Sequence, residues 1–375
     1  MNKYLLFYFW SLMLFSNLFC YALPEDHRTL PIGAVAPDFS LTGIDGKTYT
    51  LASFKEAKIL VIIFTCNHCP TAQAYEERII KMTNDYAKKG VTVVAIMPND
   101  PNSVRLDELG YTDLGDSFEE MKLRAKMLGY NFPYLYDGDT EEVSKAYGPV
   151  ATPHIFIFDR DRKLQYQGRI DNVEKPTKTP TSFDAANAID ALLNNKPVPV
   201  TTTKVFGCSV KWAEKGDWIE KAKKDWTNEP VTLEMIDEEG VKGLLKNSSD
   251  KLRLINVWAT WCGPCVTEFP ELITMNRMYR GRDFEFISIS VDEPAKKDKA
   301  LQFLKMKQAS STNYIFSIDD KYKLIEAIDP RWQGALPYTI LVEPGGKIVY
   351  AKQGIIDPLN MKRMIVENHL IGRYY

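Results

Sequence analysis

The sequence predicts an α/β fold built from two similar domains in tandem, each with a central mixed β-sheet flanked by helices. Two observations lead to this prediction. Two cysteines separated by two other residues occur twice, as Cys66 and Cys69 (the first pair) and as Cys262 and Cys265 (the second pair). Each pair follows an apolar run typical of a buried strand and precedes a helix-like stretch. A chain of 375 residues is long enough to bury two separate cores.

The first half contains the strand and helix signals in a clear order. Residues 36–41 and 47–51 flank a Gly-Ile-Asp-Gly turn and predict a β-hairpin. The run at residues 59–64 predicts a buried strand that ends just before the first pair. The elements expected after it are a helix at 72–88, a strand at 91–96, a helix near 117–128 and a strand at 152–159.

The second half repeats this order around the sequence Trp-Cys-Gly-Pro-Cys at residues 261–265. Residues 254–259 predict the preceding strand. Residues 336–342 predict a strand that opens with Pro337, followed by a Pro-Gly-Gly turn and a strand at 347–350. The two halves therefore predict domains at residues 30–195 and 230–375, joined by a polar linker at 196–229.

The spacing of the second pair indicates reversible disulfide chemistry. At a strand-to-helix corner, Cys262 would lie at the helix N-terminus, where unpaired N–H groups and the helix dipole favour its thiolate. Cys265 would lie about one turn further along and be shielded. One thiol would attack a disulfide and the other would resolve the product. Zinc is the competing interpretation, but zinc takes four ligands and no second ligand pair lies nearby in the sequence.

This motif resembles thioredoxin, and its surroundings resemble the TlpA/ResA-like exported thiol-disulfide oxidoreductases. Pro270 lies five residues after Cys265, where thioredoxins kink the active-site helix. Glu268 matches a glutamate of the TlpA/ResA branch, which implies a role in moving protons. Cytosolic thioredoxins bury an aspartate in the preceding strand, and that position is Asn256 here.

The same resemblance assigns two further roles in the second domain. Pro337 would be the cis proline that lies against the disulfide, and Trp261 would cover the sulfurs. The alternatives are a solvated Glu268 on the helix surface and a Pro337 that only opens an edge strand. We expect Glu268 to line the surface without a structural role.

The first half resembles peroxiredoxin-like members of the thioredoxin superfamily of the AhpC/TSA type. The similarity rests on residues 36–39, 64–70, 132–137 and 146–148. Peroxidases of this group carry a threonine three residues before the peroxidatic cysteine. The corresponding residue is Cys66 when counted from Cys69, and Ile63 when counted from Cys66. The peroxidase motif is therefore broken, although a thiol peroxidase remains an alternative function.

Two histidines are expected near the first pair. His68 lies between the cysteines, and the resemblance makes Pro153 a cis proline that brings His154 beside them. Imidazolium groups would favour the thiolate and make this disulfide the more oxidising of the two. One alternative is that both histidines are exposed loop residues with no effect on the cysteines. Another is a copper-binding module built from the two cysteines with His68 or His154.

The linker contains the sequence Gly-Cys-Ser-Val-Lys-Trp at residues 207–212, similar to a tail found in relatives of the first domain. Cys208 could return to the first pair as a third thiol, or be a buried structural cysteine. The charged stretch at residues 218–226 predicts a solvated amphipathic helix.

The N-terminus predicts export. Lys3 is followed by an apolar run at residues 4–19 and by Cys20-Tyr21-Ala22, so we expect a signal peptide at residues 1–22. A retained membrane anchor and lipidation of Cys20 are the alternatives. Cleavage would leave five cysteines, an odd number that cannot pair fully within one chain.

The sequence as a whole predicts an exported thiol-disulfide oxidoreductase that reduces client proteins and is recharged by an upstream thiol reductant. The formal net charge of -2 gives no basic excess to suggest nucleic-acid binding. We expect no cofactor and no metal. Cys262 would attack, Cys265 resolve, Glu268 assist proton movement and Pro337 present backbone to the client.

Overall fold

The computed structural model describes residues 27–175 and 177–374. The predicted signal peptide at residues 1–22, with Cys20, lies outside the described residues. The described residues form two mixed β-sheets flanked by helices, which confirms the predicted fold class. Within the same residues, no helix has both the length and the apolar character needed to cross a membrane.

The first sheet has seven strands in the order β2-β1-β5-β4-β3-β6-β7. The strands are β1 (Ser40–Gly43), β2 (Thr48–Thr50), β3 (Ile59–Phe64), β4 (Val91–Met97), β5 (Tyr134–Tyr136), β6 (His154–Phe158) and β7 (Leu164–Gly168). The helices are α1 (Pro70–Ala87), α2 (Phe118–Leu128), α3 (Glu142–Tyr147) and α4 (Asp184–Leu193). The predicted hairpin is the antiparallel pair β1 and β2. Strand β3 pairs in parallel with β4 and antiparallel with β6.

The second sheet has six strands in the order β13-β12-β9-β10-β11-β8. Helix α5 (Gly216–Thr227) precedes it. The strands are β8 (Glu234–Ile236), β9 (Leu252–Trp258), β10 (Phe284–Ser290), β11 (Thr312–Phe316), β12 (Tyr338–Glu343) and β13 (Lys347–Gln353). The helices are α6 (Glu238–Lys246), α7 (Gly263–Tyr279), α8 (Lys297–Met306), α9 (Lys321–Ile328) and α10 (Pro358–Glu367). Strand β9 pairs in parallel with β10 and antiparallel with β12.

The central strand β3 is buried on both faces. Because successive side chains of a strand point to opposite faces, Val61 and Ile63 join one apolar cluster, whereas Leu60, Ile62 and Phe64 join the other. A continuous apolar run is typical of a strand covered on both sides. The first pair, which follows this strand, therefore lies in the interior of the domain.

The two domains contact each other through the segment between β4 and α2. Leu106 and Leu109 of the first domain pack against the core of the second. On α7, Tyr279 Oη donates a hydrogen bond to the Thr112 carbonyl at 2.8 Å. Just beyond α7, Arg282 donates to the Gly110 carbonyl at 2.8 Å. The loop that precedes α2 is thus held by α7 and by the residues just after it in the other domain.

A buried carboxylate completes this domain contact. Asp113 is 1% exposed, and it accepts hydrogen bonds from Arg363 Nε at 3.0 Å and from Arg373 at 2.6 Å. Both arginines belong to the second domain. Burial alone would raise the pKa of Asp113, but Arg373 and Arg363 outweigh it and hold this pKa below its ordinary value.

The segment at residues 201–213, which the sequence assigns to the linker, packs on the first domain. Thr202 bridges to Gln167 of β7, and Cys208 bridges to Thr152 beside β6. The backbone N–H of Lys211 donates to Asn99 Oδ1 at 2.9 Å. Helix α5, which follows, has no buried side chain, as expected for the predicted solvated helix.

Candidate redox sites

The second pair forms a disulfide at the end of the central strand β9. Cys262 and Cys265 are bonded, with their Cα atoms 5.3 Å apart. Cys262 is the N-cap residue of α7, and its Sγ accepts a hydrogen bond from the backbone N–H of Cys265 at 3.3 Å. The predicted position of Cys262 at a helix N-terminus is therefore confirmed. Cys262 is 6% exposed and Cys265 is 1% exposed, so Cys262 is the more exposed residue of the pair.

Pro337 lies at the same end of the sheet as this disulfide. Strand β12 runs antiparallel to β9 and pairs Tyr338 with Val257, so the residue before Tyr338 is next to the carboxyl end of β9. The Leu336–Pro337 peptide bond is cis, as the resemblance implied. The backbone on either side of Pro337 is thus placed beside the strand that leads to Cys262.

Glu268 is buried against the same strand, so the expectation that it lines the surface is wrong. It is 3% exposed. Its Oε1 accepts from Asn256 Nδ2 at 3.0 Å, and its Oε2 accepts from the backbone N–H of Ile356 at 2.9 Å. Burial raises the pKa of this carboxyl above its ordinary value, although both hydrogen bonds oppose the rise. Because Glu268 follows Cys265 by three residues on one helix, both lie on the same helical face.

Two tryptophans lie near the second pair in different environments. Trp261 is 59% exposed, and the ammonium of Lys321 lies 4.8 Å from its ring centroid. Trp258, the last residue of β9, is fully buried and packs against Phe269 at 4.9 Å between ring centroids. The role of Trp261 as a cover for the sulfurs stays a prediction.

The first pair differs from the second in where its helix begins. Helix α1 starts at Pro70, with Cys69 as its N-cap residue. In the second domain the N-cap is the first cysteine, but here it is the second. The unpaired N–H groups and the positive end of the helix dipole therefore favour a thiolate at Cys69 rather than at Cys66. Pro70 is the local signal for this start, because proline is favoured at the first helical position.

The sulfur of Cys69 lies between several polar groups. It accepts a hydrogen bond from the backbone N–H of Cys208 at 3.3 Å, and its S–H donates to the Thr152 carbonyl oxygen at 3.2 Å. Cys66 Sγ lies 3.1 Å from the Thr152 hydroxyl. The Thr152–Pro153 peptide bond is cis, so both predicted cis prolines are found.

The pKa values of the two thiols of the first pair are shifted in opposite directions. Burial raises the pKa of Cys66, and its hydrogen bond to Cys69 raises it further. Burial also acts to raise the pKa of Cys69. In this case hydrogen bonds from Cys208 and Cys66, together with the charge of His68, outweigh burial and hold the pKa well below its usual value. Cys69 is thus the more acidic of the two thiols, which favours it as the nucleophilic sulfur.

His68 forms a buried ion pair with Asp116, at 2.5 Å between Nδ1 and Oδ2. Burial lowers the pKa of His68, but Asp116 more than compensates, so that the pKa is raised. Asp116 also accepts from the backbone N–H groups of Asn67 and His68 and from Asn99 Nδ2. The sequence analysis missed Asp116, because no local pattern connects it to a histidine 48 residues earlier.

His154 does not act on the first pair as a charged group, so that expectation is wrong. Its Nε2 bonds Gln167 Oε1 at 2.7 Å, and its Nδ1 accepts from the backbone N–H of Val150 at 3.3 Å. Burial lowers its pKa to about 4, so the ring is neutral at pH 7. With both nitrogens engaged, His154 is also unsuited to be a copper ligand.

Among the residues that the structure describes, one group of side chains could hold a metal ion: Cys66, His68 and Asp116, whose ligand atoms lie within 4.8 Å of one another. His68 Nε2 is buried without a hydrogen-bond partner and could serve as a ligand. The other two are poorly suited. Asp116 already binds His68, Asn67 and Asn99. Cys66 is the less acidic thiol, whereas a metal needs a thiolate.

Two family models match the chain, one in each half. Residues 32–167 match the AhpC/TSA family, and residues 227–365 match Redoxin. Among curated relatives, thiol-disulfide oxidoreductase ResA of Bacillus subtilis is 28% identical over 118 residues, which are 32% of this chain and 62% of the relative. The chain thus covers less than two thirds of that relative. ResA of Bacillus cereus is 29% identical over 137 residues, 36% of this chain and 73% of the relative.

Solved structures with similarity to the chain include an uncharacterized conserved protein from Geobacillus kaustophilus. It is 42% identical, with 48% of this chain and 92% of that protein aligned and a TM-score of 0.43. A thiol:disulfide interchange protein DsbE from Chlorobium tepidum is 20% identical, with 44% and 99% aligned and a TM-score of 0.33.

Proposed function

We propose that this chain, whose two halves match the AhpC/TSA and Redoxin families and which is similar to the thiol-disulfide oxidoreductase ResA, is an exported reductase of protein disulfides. The observation that carries this proposal is the second pair at the N-terminus of α7, with Cys262 outermost, Pro337 alongside and a buried Glu268 on the same helix. These groups supply an attacking thiolate, a resolving thiol, a backbone surface for the client and a carboxyl group.

The reaction begins with the reduced pair. The Cys262 thiolate attacks one sulfur of a client disulfide, and the other client sulfur leaves as a thiolate that takes up a proton. Cys265 then loses its proton and attacks Cys262 Sγ, which forms the Cys262–Cys265 disulfide and releases the second client thiol. The client gains two electrons and two protons in total. An upstream protein dithiol reverses the change in the pair and completes the cycle.

Glu268 takes part by exchanging a proton with Cys265. Its raised pKa brings the carboxyl closer to the pH at which thiols exchange protons. Asn256 and the backbone of Ile356 fix both of its oxygens, so the group is held in one orientation. A carboxyl held in this way, on the same helical face as Cys265, supports the proposed proton transfer.

The proposed compartment rests on the chemistry and on the N-terminal sequence. Disulfide-bonded clients persist outside the cytoplasm, where a reductase of this kind has substrates. The apolar N-terminal segment would direct export, and its retention would attach the protein to the membrane. The clients and the upstream reductant are therefore proteins of the cell envelope.

The proposal is tested with a trapping variant of the full-length protein. Cys265→Ala leaves Cys262 able to attack but removes the resolving thiol, so mixed disulfides with clients should accumulate. Mass spectrometry of the species released by dithiothreitol identifies them. The matched control is Cys262→Ala, which keeps the less accessible thiol. Equal yields of mixed disulfide from the two variants would overturn the assignment of Cys262 as the attacking thiol.

A further inference from the structure

The segment at residues 201–213, called the tail below, places a third cysteine, Cys208, beside the first pair. Gly207 has φ +141°, and a Cβ added there would lie 2.0 Å from the Thr152 carbonyl oxygen. A glycine is therefore required for the tail to pass this close to the cis-proline loop. The backbone N–H of Thr152 donates to the Cys208 carbonyl at 2.9 Å, which fixes Cys208 beside the pair.

Cys208 lies directly against the more acidic sulfur of the first pair. Its backbone N–H donates to Cys69 Sγ at 3.3 Å, and its thiol is close enough to lower the pKa of Cys69. Cys66 lowers the same pKa. Cys69 thus has two neighbouring thiols, and either one could become its disulfide partner.

Only one of these three sulfur-bearing residues reaches the surface. Cys66 is 2% exposed and Cys69 is 0% exposed, whereas Cys208 is partly exposed. Disulfide exchange requires the attacking sulfur to approach the sulfur under attack. Cys208 therefore offers a partner protein a more accessible point of approach than the buried pair does.

We propose that Cys208 is a third redox-active cysteine, which carries the disulfide of the first domain from the buried pair to a surface position where a protein dithiol reduces it. The inference rests on the proposed thiol-disulfide oxidoreductase function and extends that chemistry to the first pair. It does not depend on client reduction by the second pair.

The transfer starts from a Cys66–Cys69 disulfide. Cys208 loses its proton and attacks Cys69 Sγ, the Cys69–Cys208 bond forms, and the Cys66–Cys69 bond breaks. Cys66 leaves as a thiolate and takes up the proton, so this step is not a net reduction. A thiolate of the partner then attacks Cys208 Sγ and Cys69 leaves, after which the partner's second thiol resolves the mixed disulfide. The domain gains two electrons and two protons, and the partner becomes a disulfide.

The first test maps disulfides in the full-length protein. Cys66→Ser is treated with oxidised glutathione, alkylated and digested under non-reducing conditions, and its peptides are identified by mass spectrometry. We expect a Cys69–Cys208 disulfide in Cys66→Ser and a Cys66–Cys69 disulfide in Cys208→Ser. Absence of the Cys69–Cys208 bond from a Cys66→Ser protein with native circular dichroism would overturn the proposal.

The second test measures access to the first domain. Oxidised protein is mixed with reduced thioredoxin, and the free thiols of each cysteine peptide are quantified over time. Reduction of the first pair should slow roughly tenfold in Cys208→Ser, because the partner loses its point of attack. Ser209→Ala, an exposed neighbour, is the matched control and should react like the unmodified protein. An unchanged rate in Cys208→Ser would contradict the proposal. Failure of the proposed reductase function would instead appear as an absence of mixed disulfides in the Cys265→Ala variant.

Discussion

Asn256 donates a hydrogen bond from Nδ2 to Glu268 Oε1 at 3.0 Å, inside the second domain. By resemblance, Asn256 occupies the strand position where thioredoxins bury an aspartate. The carboxylate at this site therefore comes from the helix, and the strand supplies an amide that holds it. Asn256 also donates to the Thr339 hydroxyl at 3.0 Å, so β9, β12 and α7 meet at this carboxyl group.

Glu268→Gln should change the pH dependence of disulfide exchange more than it changes stability. The Asn256 amide can flip, so that its oxygen accepts from the new glutamine while the glutamine oxygen still accepts from Ile356. The titrating group, whose pKa is raised by burial, is lost. Stopped-flow exchange rates measured across pH should therefore lose the inflection that lies above the ordinary glutamate value of about 4.3. An identical pH–rate profile in the variant would exclude proton transfer by Glu268.

Alkylation of the reduced protein should modify Cys262 before Cys265. Cys262 lies at the helix N-terminus, accepts a hydrogen bond from the Cys265 N–H and is the more exposed of the two. Its thiolate should therefore form well below the free-cysteine pKa of about 8.5. Iodoacetamide labelling at mildly acidic pH, followed by peptide mapping, gives the order. Equal labelling of the two residues would contradict the roles of attacker and resolver.

His68→Asn should make the first disulfide less oxidising. The buried imidazolium stabilises the Cys69 thiolate, so its removal destabilises the reduced pair and lowers the reduction potential. We expect a shift on the order of 30 mV, which corresponds to about 1.4 kcal/mol. His154→Asn is the control, because the neutral His154 ring bonds Gln167 and Val150 instead. Equal shifts in the two variants would remove the role given to the His68 charge.

Asp113→Asn should loosen the contact between the domains. It removes the carboxylate that Arg363 and Arg373 share, and loss of one partner in a buried charge pair typically costs roughly 2–5 kcal/mol. Cleavage of the linker by limited proteolysis should accelerate. Because the pKa of Asp113 is lowered, its contribution is present at neutral pH and is lost as the pH falls through that pKa. The control is Asp107→Asn, an exposed partner of Arg105, which should leave the cleavage rate unchanged.

The sequence predicted those features that depend on local pattern. The apolar runs located β3 and β9, and the spacing of the cysteines located both redox pairs, because strand burial and helix N-termini leave regular signals. Contacts between distant segments leave no such signal in the sequence. Asp116 lies 48 residues from His68, and Asp113 lies 250 residues from Arg363. Only the fold brings these residues together.

The wrong expectation that His154 acts on the first pair as a charged group also arose from a contact that the local sequence does not show. Its position after a cis proline predicted proximity to the first pair, but the ring is turned towards Gln167 on the neighbouring strand β7. Side-chain orientation depends on the neighbouring strand, which the local sequence does not specify. The burial of Glu268 was missed because it depends on Asn256 and on the backbone at Ile356, far along the chain.

The most direct test of the account is a redox titration of the unmodified full-length protein. Equilibration with graded dithiothreitol ratios, differential alkylation and peptide mapping give the oxidised fraction of each cysteine pair in one sample. A reductase predicts that Cys262 and Cys265 titrate closer to about -270 mV, as in thioredoxin, than to about -120 mV, as in DsbA. The account further predicts a higher potential for the first pair, because His68 stabilises its thiolate. A second pair with a potential near that of DsbA, or above that of the first pair, would contradict the account.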